Sequence, residues 1–138
     1  MPEINLLAVL VAAVATFLIG GAWYSPLLFV KPWAEANGFS PERLEAMKQA
    51  STPVKAMAVS FVTWVVVASC FSVLIGWTGI QGWFGGMKLG LLLWLGFSAS
   101  VTLVGTMFSD RKITAFVVDA GYQLVFLALM GAILGAWR

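Results

Sequence analysis

The chain has 138 residues, of which 61% are hydrophobic and 10% are charged. Soluble domains carry roughly a quarter charged residues, so a water-soluble core is excluded, and we expect one domain over residues 1–138 with lipid as its main solvent. The net charge of +2 is small and its carriers are scattered, which excludes a nucleic-acid-binding protein.

The first apolar run predicts a membrane-crossing helix at about residues 4–24. It carries no charge, and at about 1.5 Å per residue it spans a hydrocarbon core of roughly 30 Å. Met1-Pro2-Glu3 is not a basic leader, so we expect a retained helix and not a cleaved signal peptide. Pro26 ends the helix, because the residue before a proline is pushed out of the α region. Small residues recur at every fourth position, at Ala8, Ala12, Thr16 and Gly20, and favour close approach of another helix.

Residues 31–55 hold half of the charged residues and form a connector. Ser40-Pro41-Glu42 resembles a helix start, with a capping serine, a proline at the first helical position and an acid favoured by the helix dipole. We therefore expect a short helix at about 41–50, either in the cytoplasm or on the membrane surface.

The uncharged run between Lys55 and Lys88 is too long for one membrane crossing. Turn-forming residues and two tryptophans interrupt this run at 77–83, and a polar turn at 108–112 interrupts the next. These breaks predict membrane helices at about 54–76, 84–107 and 113–136. The predicted fold is an all-α integral membrane protein, an up-down bundle of four transmembrane helices with one short cytoplasmic or interfacial helix.

Glycine pairs spaced four residues apart indicate close helix packing. The pairs are Gly86 with Gly90 and Gly131 with Gly135. We expect close packing at four glycines in particular, namely Gly20, Gly21, Gly131 and Gly135. So small a bundle has little interior of its own, which favours a homo-oligomer, most simply a two-fold homodimer.

The distribution of lysine and arginine predicts the orientation. The first and third connections carry six of the eight basic residues, and the other side carries Lys88 and Arg138. Basic connections stay in the cytoplasm, so both termini are predicted outside. We expect a multi-pass membrane protein with its basic connections in the cytoplasm.

Asp119 is the one acidic residue inside a predicted span. A buried carboxylate is costly unless it is paired or faces water. Tyr122 and Gln123 follow at i+3 and i+4, on the same helix face. Two interpretations stay open, a proton, cation or ligand site and a structural hydrogen-bond hub.

Other polar residues are predicted at the depth of Asp119, in the inner half of the membrane. The first helix brings Trp23, Tyr24 and Ser25, with Gly20 and Gly21 beside them, and the third brings Ser98, Thr102 and Thr106. The second offers Ser60 and Thr63. We predict an inner-leaflet polar pocket whose members are Asp119, Tyr122, Gln123, Trp23, Tyr24, Ser25, Thr102 and Ser98.

No cofactor, metal or enzyme signature occurs. Histidine is absent and Cys70 is the single cysteine, so the chain lacks the commonest general base and metal ligand and any intrachain disulfide. There is no phosphate-binding loop and no nucleophile beside a base. We expect no enzyme, no metal and no cofactor.

Residues 20–29, Gly-Gly-Ala-Trp-Tyr-Ser-Pro-Leu-Leu-Phe, followed by Trp33, resemble the signature of a family of small, mostly bacterial membrane proteins known as domain of unknown function 1761. Asn5, the segment 94–97 (Trp-Leu-Gly-Phe), the segment 119–122 (Asp-Ala-Gly-Tyr), the segment 129–131 and Trp137 match the family pattern in order. The resemblance implies a four-helix protein of a bacterial inner (cytoplasmic) membrane and supplies no activity. It also marks the first-helix motif together with Asp119 and Tyr122.

The leading hypothesis is ion- or proton-coupled transport of a small solute through the pocket around Asp119, with the lipid bilayer as partner and the ligand unknown. The alternative is a non-transporting assembly or accessory protein whose polar cluster only specifies helix packing.

Overall fold

The computed structural model describes residues 4–25, 28–40, 42–43, 46 and 52–137. Its helices are α1 (Leu6–Trp23), α2 (Val30–Ala36), α3 (Thr52–Thr78), α4 (Trp83–Phe108) and α5 (Ile113–Ala136). No strand occurs among these residues. Four helices are long and apolar enough to cross a membrane, namely α1, α3, α4 and α5, which confirms the all-α membrane fold. The connector helix expected at 41–50 falls largely outside the described residues, and α2 is a short helix that the sequence did not predict.

Local chemistry defines the helix ends. The side chain of Asn5 accepts a hydrogen bond from the amide of Ala8 at 3.1 Å and caps α1. Gly79 and Gly82 have φ angles of +70° and +87°, a conformation that other residues adopt only with strain. They frame the tight turn that reverses the chain between α3 and α4.

Helix α5 is the central element. Its neighbours pack on several sides of it, whereas α4 packs mainly against α5 and leaves most of its surface exposed. Contacts at both ends set the directions: Asn5 lies against Trp137 and Trp23 against Val118, so α1 runs antiparallel to α5. The amide of Gly82 donates to the carbonyl of Gly135 at 3.0 Å, so α4 is also antiparallel to α5.

Glycines make the α4–α5 contact. A Cβ atom at Gly86 would lie 1.9 Å from the carbonyl oxygen of Gly131, and one at Gly131 would lie 2.1 Å from that of Gly86. A Cβ at Gly135 would meet the oxygen of Gly82 at 2.4 Å. The two backbones therefore touch directly, which only glycine permits. In lipid, where apolar burial drives association weakly, such contacts are a main source of packing energy.

The core lies between α1, α3 and α5. The small-residue stripe of α1 is buried, with Ala8 and Ala12 at 0% exposure and Thr16 at 1%. Phe71 and Ile75 from α3 and Met130 from α5 complete this core. The large exposed apolar surface elsewhere is the surface expected of a protein solvated by lipid.

Candidate functional site

Asp119 lies within α5, two turns from the start of that helix. Its Oδ1 atom accepts a hydrogen bond from the hydroxyl of Tyr24 at 2.6 Å, a length typical of bonds to a charged acceptor. Tyr24 caps the end of α1. The carboxylate is therefore tied to the end of the Trp-Tyr-Ser motif, and its side chain is 19% exposed.

Arg111 is the second partner of Asp119, with Nη1 3.8 Å from Oδ2. The same Nη1 donates to the side-chain oxygen of Asn37 at 3.3 Å, and the amide of Lys112 contacts the carbonyl of Ala36 at 3.5 Å. Arg111 thus links α5 to the end of α2. Its Nε atom is buried and has no hydrogen-bond partner among the described residues.

Sequence reasoning missed Arg111 and Asn37 as members of this group. A signal for Arg111 existed, since it is the arginine nearest before Asp119 and eight residues are a little over two helical turns. No comparable signal marks Asn37, whose position depends on how α2 folds back.

Two aromatic side chains fix α5 against α1. The indole N–H of Trp23 donates to the carbonyl of Val118 at 2.9 Å, and a Cβ at Gly121 would come within 3.0 Å of the Trp23 ring. The hydroxyl of Tyr122 donates to the carbonyl of Thr16 at 2.8 Å. Gly20 makes room for that hydroxyl, which would lie 2.7 Å from a Cβ there. Tyr122 therefore packs against α1 and does not bond to Asp119.

The rings around these contacts form one continuous cluster. Tyr24 packs edge-on against Trp33 at 5.7 Å and against Tyr122 at 5.6 Å between ring centroids. Tyr122 continues to Trp64 at 5.9 Å and to Phe126 at 4.9 Å. Trp64 of α3 therefore packs against the core, and the cluster reaches Asp119 through Tyr24.

A second polar group lies on the α4 side of α5. The hydroxyl of Ser98 donates to Oε1 of Gln123, and Thr102 donates to the same oxygen at 3.1 Å. The indole N–H of Trp94 donates to the carbonyl of Ala120 at 2.8 Å. Trp94 begins a π-helical segment, Trp94–Ala99, and such segments are frequent at functional sites.

The structure corrects two expectations about this site, those for Ser25 and Gly21. Ser25 does not join it, because its hydroxyl donates to the carbonyl of Ala22 at 2.6 Å and closes the end of α1. Gly21 is not a packing glycine, because it is exposed and no described atom lies within 4 Å of a Cβ there. Thr63 of α3 is exposed and donates to Val59 of its own helix at 2.7 Å. Thr106 likewise donates to Thr102 of its own helix.

The Tyr24 phenol stays protonated at physiological pH. Burial raises its pKa well above the ordinary value, and the hydrogen bond to Asp119 raises the pKa further, because both disfavour the phenolate. Tyr24 is therefore a permanent donor to the Asp119 carboxylate.

The arrangement places the Asp119 carboxylate between the O–H donor of Tyr24 and the guanidinium of Arg111. No metal-binding group of three or more His, Cys, Asp or Glu side chains occurs in the described part of the chain. The group can therefore exchange a proton or a small cation at Asp119, or it can hold the helices together.

Comparison with known proteins adds a family. No curated protein and no solved structure matches the chain. A family model described as "Protein of unknown function (DUF1761)" matches residues 7–135. This match covers nearly the whole chain, and the chain therefore belongs to the DUF1761 family.

Proposed function

We propose that this protein is a proton- or ion-coupled transporter of a small solute, with Asp119 as the group that takes up the proton or cation. The observation that carries the proposal is the long ion pair of Asp119. Its Oδ2 atom lies 3.8 Å from Nη1 of Arg111, and the Asp119 side chain is 19% exposed. A purely structural carboxylate in a membrane is expected to be fully paired.

The exchange works through Arg111. Neutralising Asp119 by a proton or a cation removes its attraction for the guanidinium, whereas the Tyr24 hydrogen bond persists because the phenol remains a donor. Among the described residues Arg111 then holds only Asn37, and the contact between α5 and α2 loosens. Binding at Asp119 thereby controls access from that end of the bundle. The solute would contact the surrounding polar side chains, namely Trp23, Tyr122, Gln123, Ser98 and Thr102.

The proposal includes an orientation and an assembly state. Lys112 and the exposed Lys31 lie on the Asp119 side of the bundle, which favours a cytoplasmic position for that end. The exposed face of α4 leaves room for a second copy of the chain in a two-fold homodimer. Cysteine labelling from each side of the membrane tests the first, and the mass of the protein in detergent tests the second.

The decisive experiment is transport in proteoliposomes with a pH-sensitive dye inside. We expect the wild-type protein to move protons together with at least one solute of a chemically broad panel. Asp119→Asn is expected to lower that transport rate at least about tenfold. Asp110→Asn is the matched control. Asp110 is an exposed turn residue with φ +56°, a conformation that asparagine tolerates. If Asp119→Asn retained the wild-type proton and solute fluxes, the proposal would fail.

A specific observation favours the second candidate, a non-transporting assembly or accessory protein. Trp23, Trp94 and Tyr122 each donate to a main-chain carbonyl of a neighbouring helix, so much of the polar chemistry serves packing. This candidate predicts that Asp119→Asn lowers the melting temperature or the yield of oligomer and that wild-type vesicles show no flux. A variant that melts like the wild type while losing flux excludes it.

A further inference from the structure

The end of the bundle opposite Asp119 holds a cleft of about 450 Å³, within the range of small-molecule sites. It lies where the ends of α3 and α5 meet the turn between α3 and α4. Six of its lining residues are Gly76, Gly79, Gln81, Gly82, Gly135 and Ala136. The proposed transport function uses none of them.

Two helices end at this cleft with their carbonyl groups. Gly76 belongs to the last turn of α3 and Ala136 to that of α5, and their carbonyl oxygens receive no hydrogen bond from the described residues. The last carbonyls of a helix carry about half a negative charge. Since both helix ends face the same space, the cleft favours a positively charged group.

The donors at the cleft cancel only part of this potential. Helix α4 begins beside the cleft with Gly82 as its N-cap, and its N-terminus contributes about half a positive charge, which offsets one of the two C-terminal ends. Among the described residues that line the cleft, none is charged. Gln81 is exposed and supplies a side-chain oxygen that can face a cation.

From these observations we infer that the cleft binds an alkylammonium group. Its apolar walls, Ile75 and Ile80, suit methyl or methylene groups around the nitrogen, and the carbonyl ends suit the charge. Hard divalent cations are a poor fit, because they need carboxylate ligands and none of the described lining residues carries one. The ammonium can belong to a lipid headgroup or to a free amine, since both carry the same alkylammonium group.

The test compares choline with 3,3-dimethyl-1-butanol, which has the same shape without the charge. Calorimetry on the whole protein in an uncharged, lipid-free detergent gives both affinities. We expect choline to bind about tenfold more tightly, because the net negative potential of the helix ends acts on the charged ligand alone. Equal affinities, or no choline binding, overturn the inference.

Variants in the exposed turn locate the site. Gln81→Lys places an ammonium in the cleft and is expected to remove choline binding, whereas Gln81→Met has a similar size and is expected to lose less than about fivefold. Ala136→Leu fills the cleft and is expected to abolish binding as well, at an exposed position where folding is retained. Choline binding that survives both Gln81→Lys and Ala136→Leu refutes the location.

The lipid arm identifies the source of the ammonium. In nanodiscs of phosphatidylcholine, headgroups that occupy the cleft weaken the binding of free choline relative to nanodiscs of phosphatidylglycerol. Equal binding in the two lipids assigns the cleft to free amines, and either result supports an ammonium site. Asp119→Asn is expected to leave choline binding unchanged, so failure of the transport proposal and failure of this one are distinguishable.

Discussion

The glycine contact between α4 and α5 gives the most quantitative prediction, that Gly131→Ala strongly destabilises the protein. The added Cβ would lie 2.1 Å from the carbonyl oxygen of Gly86, and real Cβ contacts essentially never fall below 3.0 Å. The atom it meets is backbone, so no side chain can rotate away. Helix α4 must therefore retreat by about 1 Å.

The expected cost follows from the contacts that this shift disturbs. Overpacking of a tight interface costs about 1–3 kcal/mol. The shift also stretches two cross-helix hydrogen bonds, from Trp94 to Ala120 and from Ser98 to Gln123, each worth about 0.6 kcal/mol in a membrane protein. The sum is about 2–4 kcal/mol of unfolding free energy.

Gly21→Ala is the matched control, since it adds the same methyl group to a helical glycine with no described atom within 4 Å of the new Cβ. Alanine is the better helix former, so the control is expected to equal or slightly exceed the wild type. Titration with SDS in mixed micelles, followed by tryptophan fluorescence, gives both free energies. If Gly131→Ala and Gly21→Ala unfold at the same midpoint, the direct backbone contact between α4 and α5 does not exist.

Two further predictions concern the charged group. Burial and the bond to Asp119 raise the pKa of Tyr24 in the folded protein, so the contribution of Tyr24 to stability is fully present below about pH 10 and is lost as the unfolded-state tyrosine ionises above that pH. Tyr24→Phe is therefore expected to flatten the fall of the unfolding free energy between about pH 10 and 11. An unchanged slope would contradict the raised pKa of Tyr24. In a double-mutant cycle, Arg111→Gln and Asp119→Asn are expected to couple by less than about 1 kcal/mol, because the atoms are 3.8 Å apart and the Arg111 side chain is 33% exposed. A coupling above about 2 kcal/mol would mark a structural ion pair and speak against a switch.

The sequence predicts the fold class because its signals are local. Uncharged runs of about twenty residues and turn formers between them set the number of membrane helices, whatever the packing. The sequence also allows the contact between Tyr24 and Asp119 to be predicted. Counting residues from the end of one helix and from the start of another places both side chains at the same depth.

What the sequence did not predict depends on tertiary arrangement. The choice of α5 as the central helix cannot be read from composition, since α4 is equally apolar and yet lies at the edge. The sequence does not distinguish the roles of Gly20 and Gly21, but the rotation of α1 turns Gly20 towards Tyr122 and Gly21 away from it. The reach of Arg111 to Asn37 depends on how α2 folds back, which no local pattern specifies.

The bonds that surround Asp119 explain why packing and function are hard to separate here. Trp23 of α1 donates to the carbonyl of Val118, and Trp94 of α4 donates to that of Ala120. The residues before and after Asp119 are therefore hydrogen-bonded to two different helices. These bonds fix the rotation of α5 and therefore the direction in which the carboxylate points. A variant that breaks them disturbs stability and any exchange at Asp119 together. Asp119→Asn is the sharper probe, because it changes the charge and keeps an oxygen that can accept from Tyr24. Loss of flux at unchanged stability in that variant is the result that only a functional carboxylate explains.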